Sequence, residues 1–271
     1  MPELPEVETV KRGIALHLTG KTFIEVTIRF PRLRWPIPAN LTDILAGQRI
    51  VSVWRRAKYL IIEVPTGALL IHLGMSGSLR ILTYTRPPEK HDHVDLILND
   101  GSLLRLRDPR RFGAVLWQPG PALLHPLLSQ LGPEPLEKAF DAAYLYQQLK
   151  NKHTAIKIAL MDSHVVVGVG NIYANEALFR AGILPQRAAK TLKKSEINRL
   201  VDEIKATLLA AIAAGGSTLK DFVDSAGQAG YFQQSYFVYQ RSNTACHHCK
   251  GLVEQQIIGG RASFFCRMCQ K

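Results

Sequence analysis

Apolar and polar residues alternate along much of the first half of the chain. Ile24, Val26 and Ile28 interleave with Glu25, Thr27 and Arg29, the two-residue period of a half-buried strand. Further apolar or alternating runs stand at 50–54, 59–64, 68–73, 93–98, 103–107 and 114–118. Gly, Pro and Asp separate them, which predicts an antiparallel sandwich or barrel. A helix precedes these strands. Pro5 suits its first position, Glu6 and Glu8 its first turn, and Val7, Val10 and Ile14 recur on one face.

Residues 119–135, rich in Pro, Gly and Leu, read as a linker, and beyond them the period becomes helical. Ile197, Leu200, Val201, Ile204 and Leu208 form an apolar stripe that Gly215-Gly216 ends. Residues 215–235 read as a Gly/Ser/Gln-rich loop, long enough to serve as a mobile functional element. No internal repeat is present. The expected organisation is α+β and multidomain, with boundaries at 1–130, 131–235 and 236–271.

Composition narrows the partner. With 271 residues, 46% of them hydrophobic, the chain can bury a large core, which excludes a disordered or fibrous protein. Lys and Arg number 34 against 22 Asp and Glu, a net charge of +12. That excess favours a polyanion, nucleic acid in preference to an anionic membrane surface. No apolar run approaches the ~20 residues of a membrane span. The opening Met1-Pro-Glu-Leu-Pro-Glu is acidic where a secretory leader is basic. The expectation is a cytoplasmic protein, and nothing demands more than a monomer.

All four cysteines lie in the last 26 residues, too local to staple the whole chain. Cys246-x-x-Cys249 and Cys266-x-x-Cys269 are 16 residues apart, two thiolate turns that together make the tetrahedron zinc prefers. Four thiolates leave no open position, so the ion is structural. His247 and His248, between the first pair, are alternative ligands. Between the turns, Val253–Ile258 and Ala262–Phe265 flank Gly259-Gly260-Arg261, a β-hairpin presenting Arg261 near its tip. An arginine so placed is either a solvated charge or a phosphate contact.

Residues 156–161 read as the end of a helix, 162–169 as a turn region, and Asn171 as the cap of a second helix carrying Ile172, Phe179 and Ile183. The Gly168-Val-Gly170-Asn171 turn offers backbone N–H groups to a phosphate, with Lys152 and Lys157 nearby. A helical hairpin that simply packs in the core is the other reading. At the N-terminus, loss of Met1 leaves Pro2 with a secondary amine. An α-amino group has a pKa near ~8 against ~10.4 for Lys, so far more of it is nucleophilic at neutral pH. Its attack on an aldehydic carbon gives an iminium ion, and Glu3 beside it can act as acid or base. Otherwise the pair merely leads into the helix.

The combination decides between these readings. Met-Pro-Glu-Leu-Pro-Glu-Val-Glu-Thr-Val at 1–10, Arg-Arg-Ala-Lys-Tyr-Leu at 55–60, Lys-His-Asp-His at 90–93, Asp-Pro-Arg-Arg-Phe-Gly at 108–113, Val-Gly-Val-Gly-Asn-Ile-Tyr-Ala at 167–174 and the four-cysteine hairpin run in order along the chain. Together they resemble formamidopyrimidine-DNA glycosylase, a bacterial base-excision family for oxidised purines. The resemblance implies an N-terminal helix plus antiparallel β-sandwich, a helical domain with a helix–two-turns–helix, and a four-cysteine zinc β-hairpin finger. It implies a bifunctional glycosylase/AP lyase acting on duplex DNA that contains 8-oxoguanine, formamidopyrimidines or abasic sites. One structural zinc and no dissociable organic cofactor go with it.

By the same resemblance, Pro2 is the nucleophile on the sugar C1′ and Glu3 the acid that assists opening of the deoxyribose ring. Lys58 matches the lysine of β-elimination, and Arg261 the finger arginine of δ-elimination. His91, Arg110, Lys152, Lys157 and Asn171 match DNA contacts. Met75, Arg110 and Phe112 match the trio that fills the gap left by an extruded nucleotide, a step any enzyme acting on a stacked base requires. The 215–235 loop matches the family's lid over that base. Three positions depart from the pattern: Ala57 and Gln240 where Gly is commoner, and Ala177 where Ser is. Gln240 stands where the backbone could require a positive φ. Two rivals share much of this reading. One is the sister endonuclease VIII type, which prefers oxidised pyrimidines but usually has Gly where Leu4 stands. The other is a non-catalytic DNA-binding protein, against which Pro2 and Glu3 argue.

Overall fold

The computed structural model describes residues 2–216 and 236–271, which divide into two compact units. One runs to Ser129 and takes in the stretch from Ala214; the other holds Gln130–Ala213 with the C-terminal segment. No described helix is long and apolar enough to cross a membrane.

The first unit opens with helix α1 (Leu4–Leu18), followed by β1 (Phe23–Ile28) and a short α2 (Leu41–Leu45). Then come β2 (Ser52–Arg56), β3 (Tyr59–Val64), β4 (Gly67–His72), β5 (Ser78–Thr83), β6 (Asp92–Leu98), β7 (Ser102–Arg107) and β8 (Ala114–Pro119). They form two four-stranded antiparallel sheets, ordered β1-β6-β7-β5 and β2-β3-β4-β8. Val7, Val10, Ile14 and Leu18 of α1 share one buried cluster with residues of both sheets, among them Phe23, Leu60, Leu69, Leu96 and Leu104. The expected sandwich is present.

Three details differ from the sequence reading. Pro5 stands one position inside the helix, because Leu4 is its first residue and Glu3 its N-cap. Ile24 points to solvent: a register shift between Phe23 and Glu25 breaks the alternation and turns Phe23 inward instead. Strand β5 has no counterpart in the predicted set. The expected linker contains a short 3-10 turn (Ala122–Leu124) and α3 (Pro126–Ser129).

In the second unit follow α4 (Ala142–Leu149), α5 (Ile156–Leu160), α6 (Asn171–Arg180) and α7 (Lys194–Ala213). All five residues of the predicted α7 stripe are buried, and Gly215 and Gly216 beyond its end take positive φ. Strands β9 (Glu254–Ile258) and β10 (Arg261–Phe265) pair antiparallel across Gly259-Gly260, both at positive φ as a tight hairpin turn requires. The C-terminal part of the predicted 215–235 loop, from residue 217 on, lies outside the described residues.

Candidate active site and DNA-binding surfaces

In the first unit, Pro2 is buried at the head of α1, and Glu3, only 2% exposed, is its N-cap. The Glu3 N–H donates to Glu6 Oε2 at 2.8 Å, which fixes the start of the helix against the chain that precedes it. Further along the helix, Glu8 reaches the strands. Its Oε2 accepts from Arg55 Nε at 3.2 Å, and Arg55 Nη1 donates to the Ala57 carbonyl at 2.8 Å. Burial pushes the Glu8 carboxyl up, but hydrogen bonds from Lys11 and Arg12 and the charge of Arg55 outweigh it and leave it below its ordinary value. The turn between β2 and β3, which carries half-buried Lys58, is thus tied to the helix that carries Pro2. Ala57 in that turn takes φ +55°, so the departure from Gly sets a Cβ where the backbone disfavours one.

His72, at the end of β4, escapes the sequence reading. Its ring lies 4.8 Å from that of Tyr59, and its Nδ1 accepts from Gly74 N–H at 3.0 Å. Burial, then the charges of Lys58 and Arg34, lower its pKa to about 4, so the ring is neutral at working pH. A single histidine at a strand end gives no local signal of this.

Met75, Arg110 and Phe112 are exposed on two adjoining turns of the sandwich; Met75 is 36% and Phe112 47% accessible. The Arg110 guanidinium sits 5.1 Å over the Phe112 ring. His91, half-buried at φ +81°, lies 6.3 Å from His93 ring to ring. Partial desolvation, then the neighbouring cations Lys90 and Arg107, hold it below its ordinary pKa.

In the second unit, the turn region expected between α5 and α6 is formed: the N–H groups of Val165 and Val166 donate to Asp162 O, and Val167 N–H donates to Pro133 O in the segment before α4. Asn171 is not the cap of α6. Gly170 holds that place in extended conformation, and the Asn171 amide is turned instead to the finger, donating to Ala262 O at 3.1 Å. Its Oδ1 is buried with no partner among the described residues. Lys157, expected at DNA, is 1% exposed: its amine donates to Ala262 O at 3.0 Å and Ser263 Oγ at 2.6 Å. Lys152 is partly exposed and lies 3.5 Å from Asp162. Arg261 is exposed at the start of β10, beside an open groove of about 270 Å³ that Lys157, Asp162 and Gly259 also line.

Behind that hairpin the four cysteine sulfurs lie within 4.8 Å of one another. Cys246 and Cys269 are 3.8 Å apart and Cys249 and Cys266 3.4 Å. A tetrahedron with Zn–S bonds of ~2.3 Å has edges of about 3.8 Å, so the donors fit the ion in number, chemistry and spacing. Zinc there closes two distant turns into one unit and leaves no position for substrate. The alternative histidines are elsewhere engaged: His248 packs on Phe179 and Phe237, and His247 on Phe237. Glu176 of α6, missed in the sequence, accepts from the N–H groups of Phe237, Val238 and Tyr239 and anchors the chain entering the finger. Gln240 follows at φ +58°, the strained conformation anticipated for it.

Exposed Met75, Arg110 and Phe112, on the same unit as Pro2 at the head of α1, suit an enzyme that takes bases out of the DNA stack. Comparison with known proteins makes the class specific. Residues 1–115 match the formamidopyrimidine-DNA glycosylase N-terminal domain, and residues 131–223 match the H2TH domain of the same family. The formamidopyrimidine-DNA glycosylase of Thioalkalivibrio sulfidiphilus is 57% identical over 271 residues, covering 100% of both chains. The crystal structure of the MutM (Fpg) protein from Thermus thermophilus superposes with a TM-score of 0.89 at 38% identity, over 99% of this chain and 98% of that one. A Lactococcus lactis Fpg mutant, solved with a Fapy-dG containing DNA, gives 0.92 at 33% identity over 100% of both. This chain belongs to the formamidopyrimidine-DNA glycosylase family.

Proposed function

We infer that this protein is a bifunctional DNA glycosylase/AP lyase that excises oxidised purines, 8-oxoguanine and formamidopyrimidines, from duplex DNA. The observation that carries the reading is the tie between the head of α1 and the Lys58 turn through Glu8 and Arg55. It supports an amine and an ammonium acting on one sugar. Once Met1 is removed, the Pro2 nitrogen attacks C1′, the N-glycosidic bond breaks, and the base departs with a proton. Glu3 protonates the ring oxygen, the deoxyribose opens, and a cationic iminium links Pro2 to C1′. That cation acidifies the C2′ proton, and its removal expels the 3′ phosphate. A second elimination expels the 5′ phosphate, with Lys58 and Arg261 assisting the two departures.

Met75, Arg110 and Phe112 fill the space the extruded nucleotide leaves and His91 and Lys152 meet the backbone, while Lys157 and Asn171, bonded to Ala262 O, hold the hairpin that carries Arg261. Zinc, held by Cys246, Cys249, Cys266 and Cys269, supplies a structural cross-link and takes no part in the chemistry. The protein acts as a monomer in the cytoplasm, a reading that mass photometry and cell fractionation test.

The decisive experiment uses Met1-processed protein, an 8-oxoguanine:cytosine duplex and borohydride. A covalent adduct mapped to Pro2 by mass spectrometry is expected. An adduct on another residue removes Pro2 from its role. A reaction only with a thymine glycol duplex transfers the protein to the pyrimidine-directed sister group.

A further inference from the structure

We propose that Asp108 and Ser76 are positioning residues that lock the Met75 turn and the Arg110–Phe112 loop into a single preformed wedge. The proposal rests on the reading that these three side chains occupy the gap left by an extruded base. Asp108 is fully buried, yet among the described residues its carboxylate meets neutral donors and no cation. Ser76 Oγ donates to Asp108 Oδ1 at 2.7 Å, and Gly113 N–H donates to Oδ2 at 2.7 Å. Ser76 Oγ in turn accepts from Arg110 N–H at 3.0 Å. One carboxylate and one hydroxyl therefore connect the residue after Met75 to both ends of the loop bearing Arg110 and Phe112.

The backbones are pressed together along the same line. A Cβ on Gly74 would lie 2.5 Å from Gly113 N, and one on Gly113 would lie 2.7 Å from His72 O. A side chain at either glycine would force the two turns apart. A buried carboxyl held only by neutral donors is a poor choice for stability alone, since its desolvation costs free energy that its hydrogen bonds do little more than offset. What the acid supplies is geometry. It holds three exposed side chains in a fixed relation, so the ordering cost of inserting them is met before DNA arrives. The sequence hides this device, because Ser76 and Asp108 are 32 residues apart.

The test compares Ser76→Ala and Asp108→Asn with Thr42→Ala, which deletes a hydroxyl bonded to Val26 O elsewhere in the same sandwich. Three readouts are taken: single-turnover excision from an 8-oxoguanine:cytosine duplex, cleavage at a preformed abasic site, and fluorescence of a 2-aminopurine beside the lesion. Both wedge variants should lose roughly 10- to 100-fold in excision, as loss of a buried charge-assisted hydrogen bond implies. The fluorescence change should slow by the same factor. Cleavage at the abasic site, where no base has to leave the stack, should fall by less than about threefold. Thr42→Ala should match wild type in all three. Excision unchanged in Ser76→Ala, or a parallel fall in excision and abasic cleavage, overturns the proposal. A wild-type protein that cleaves abasic DNA but leaves 8-oxoguanine in place overturns both it and the functional reading beneath it.

Discussion

Met75, Arg110 and Phe112 on the sandwich and Arg261 at the finger hairpin are all exposed side chains presented beside tight turns, yet they are held in opposite ways. Behind the wedge stands a buried cluster of 24 described residues from α1, both sheets and their connections. Behind Arg261 the corresponding cluster has six, two of them the metal-binding Cys246 and Cys266 and one, Phe179, borrowed from α6. Where the core is large, a hydrogen-bonded carboxylate is enough to fix a loop. Where the core is small, hydrophobic burial cannot offset the entropy of ordering the chain, and covalent or coordinate links take over.

The comparison breaks most visibly on removal of the metal. Cys246→Ser should lose zinc, loosen the hairpin and weaken duplex binding by about 10-fold or more, with the β-signature of the sandwich intact by circular dichroism. Leu104→Ala, in the fully buried part of the sandwich, should cost about 2–5 kcal/mol by denaturant titration. Chelator should leave that loss unchanged. If chelation lowers sandwich stability as much as it weakens DNA binding, the two regions are not independent in the way described.

A smaller effect separates them by pH. His72 belongs to the sandwich, and its folded-state pKa of about 4 lies below the ordinary 6.5. Between those values the unfolded chain binds a proton that the folded chain refuses, so stability rises with pH across the window. The sandwich should therefore be at full strength above pH ~6.5 and lose on the order of 1–3 kcal/mol as pH falls towards ~4. His72→Gln should flatten that limb of the urea midpoint plotted against pH. An unaltered acid limb assigns the loss to other groups.

The smallest effect lies in the backbone and treats both regions alike. Ala57 in the sandwich and Gln240 at the entry to the finger both occupy positive φ. Ala57→Gly and Gln240→Gly should each stabilise by about 0.5–1 kcal/mol, read as a rise in melting temperature. For Gln240→Gly the gain should appear only with zinc bound.

What can be read from the sequence follows the distance over which each feature is determined. The thiolate cage is legible because each half is a local turn with fixed spacing, and the diglycine hairpin because two adjacent residues set its geometry. The stripe of α7 is legible from periodicity alone. Strand β5 is not, because Ile81 and Leu82 sit side by side at a sheet edge and spoil the alternation. Ile24 reads as inward because a bulge moves the register by one residue without any mark in composition. Asn171 reads as a cap on residue type, but the preceding glycine takes the extended conformation and frees the amide for Ala262. Ser76, Asp108, His72 and Glu176 depend on partners remote in sequence or on burial, and no local pattern announces them.

The hairpin that carries Arg261 has one more consequence, for how such proteins change over time. Its register, Arg261 opposite Ile258, is set by backbone pairing and by two glycines, while Lys157 and Asn171 grasp the neighbouring Ala262 carbonyl and not the arginine itself. Position 261 is therefore a socket into which different side chains can be fitted without refolding the finger. Selection, or a designer, can exchange the chemistry offered there while the scaffold that aims it stays the same.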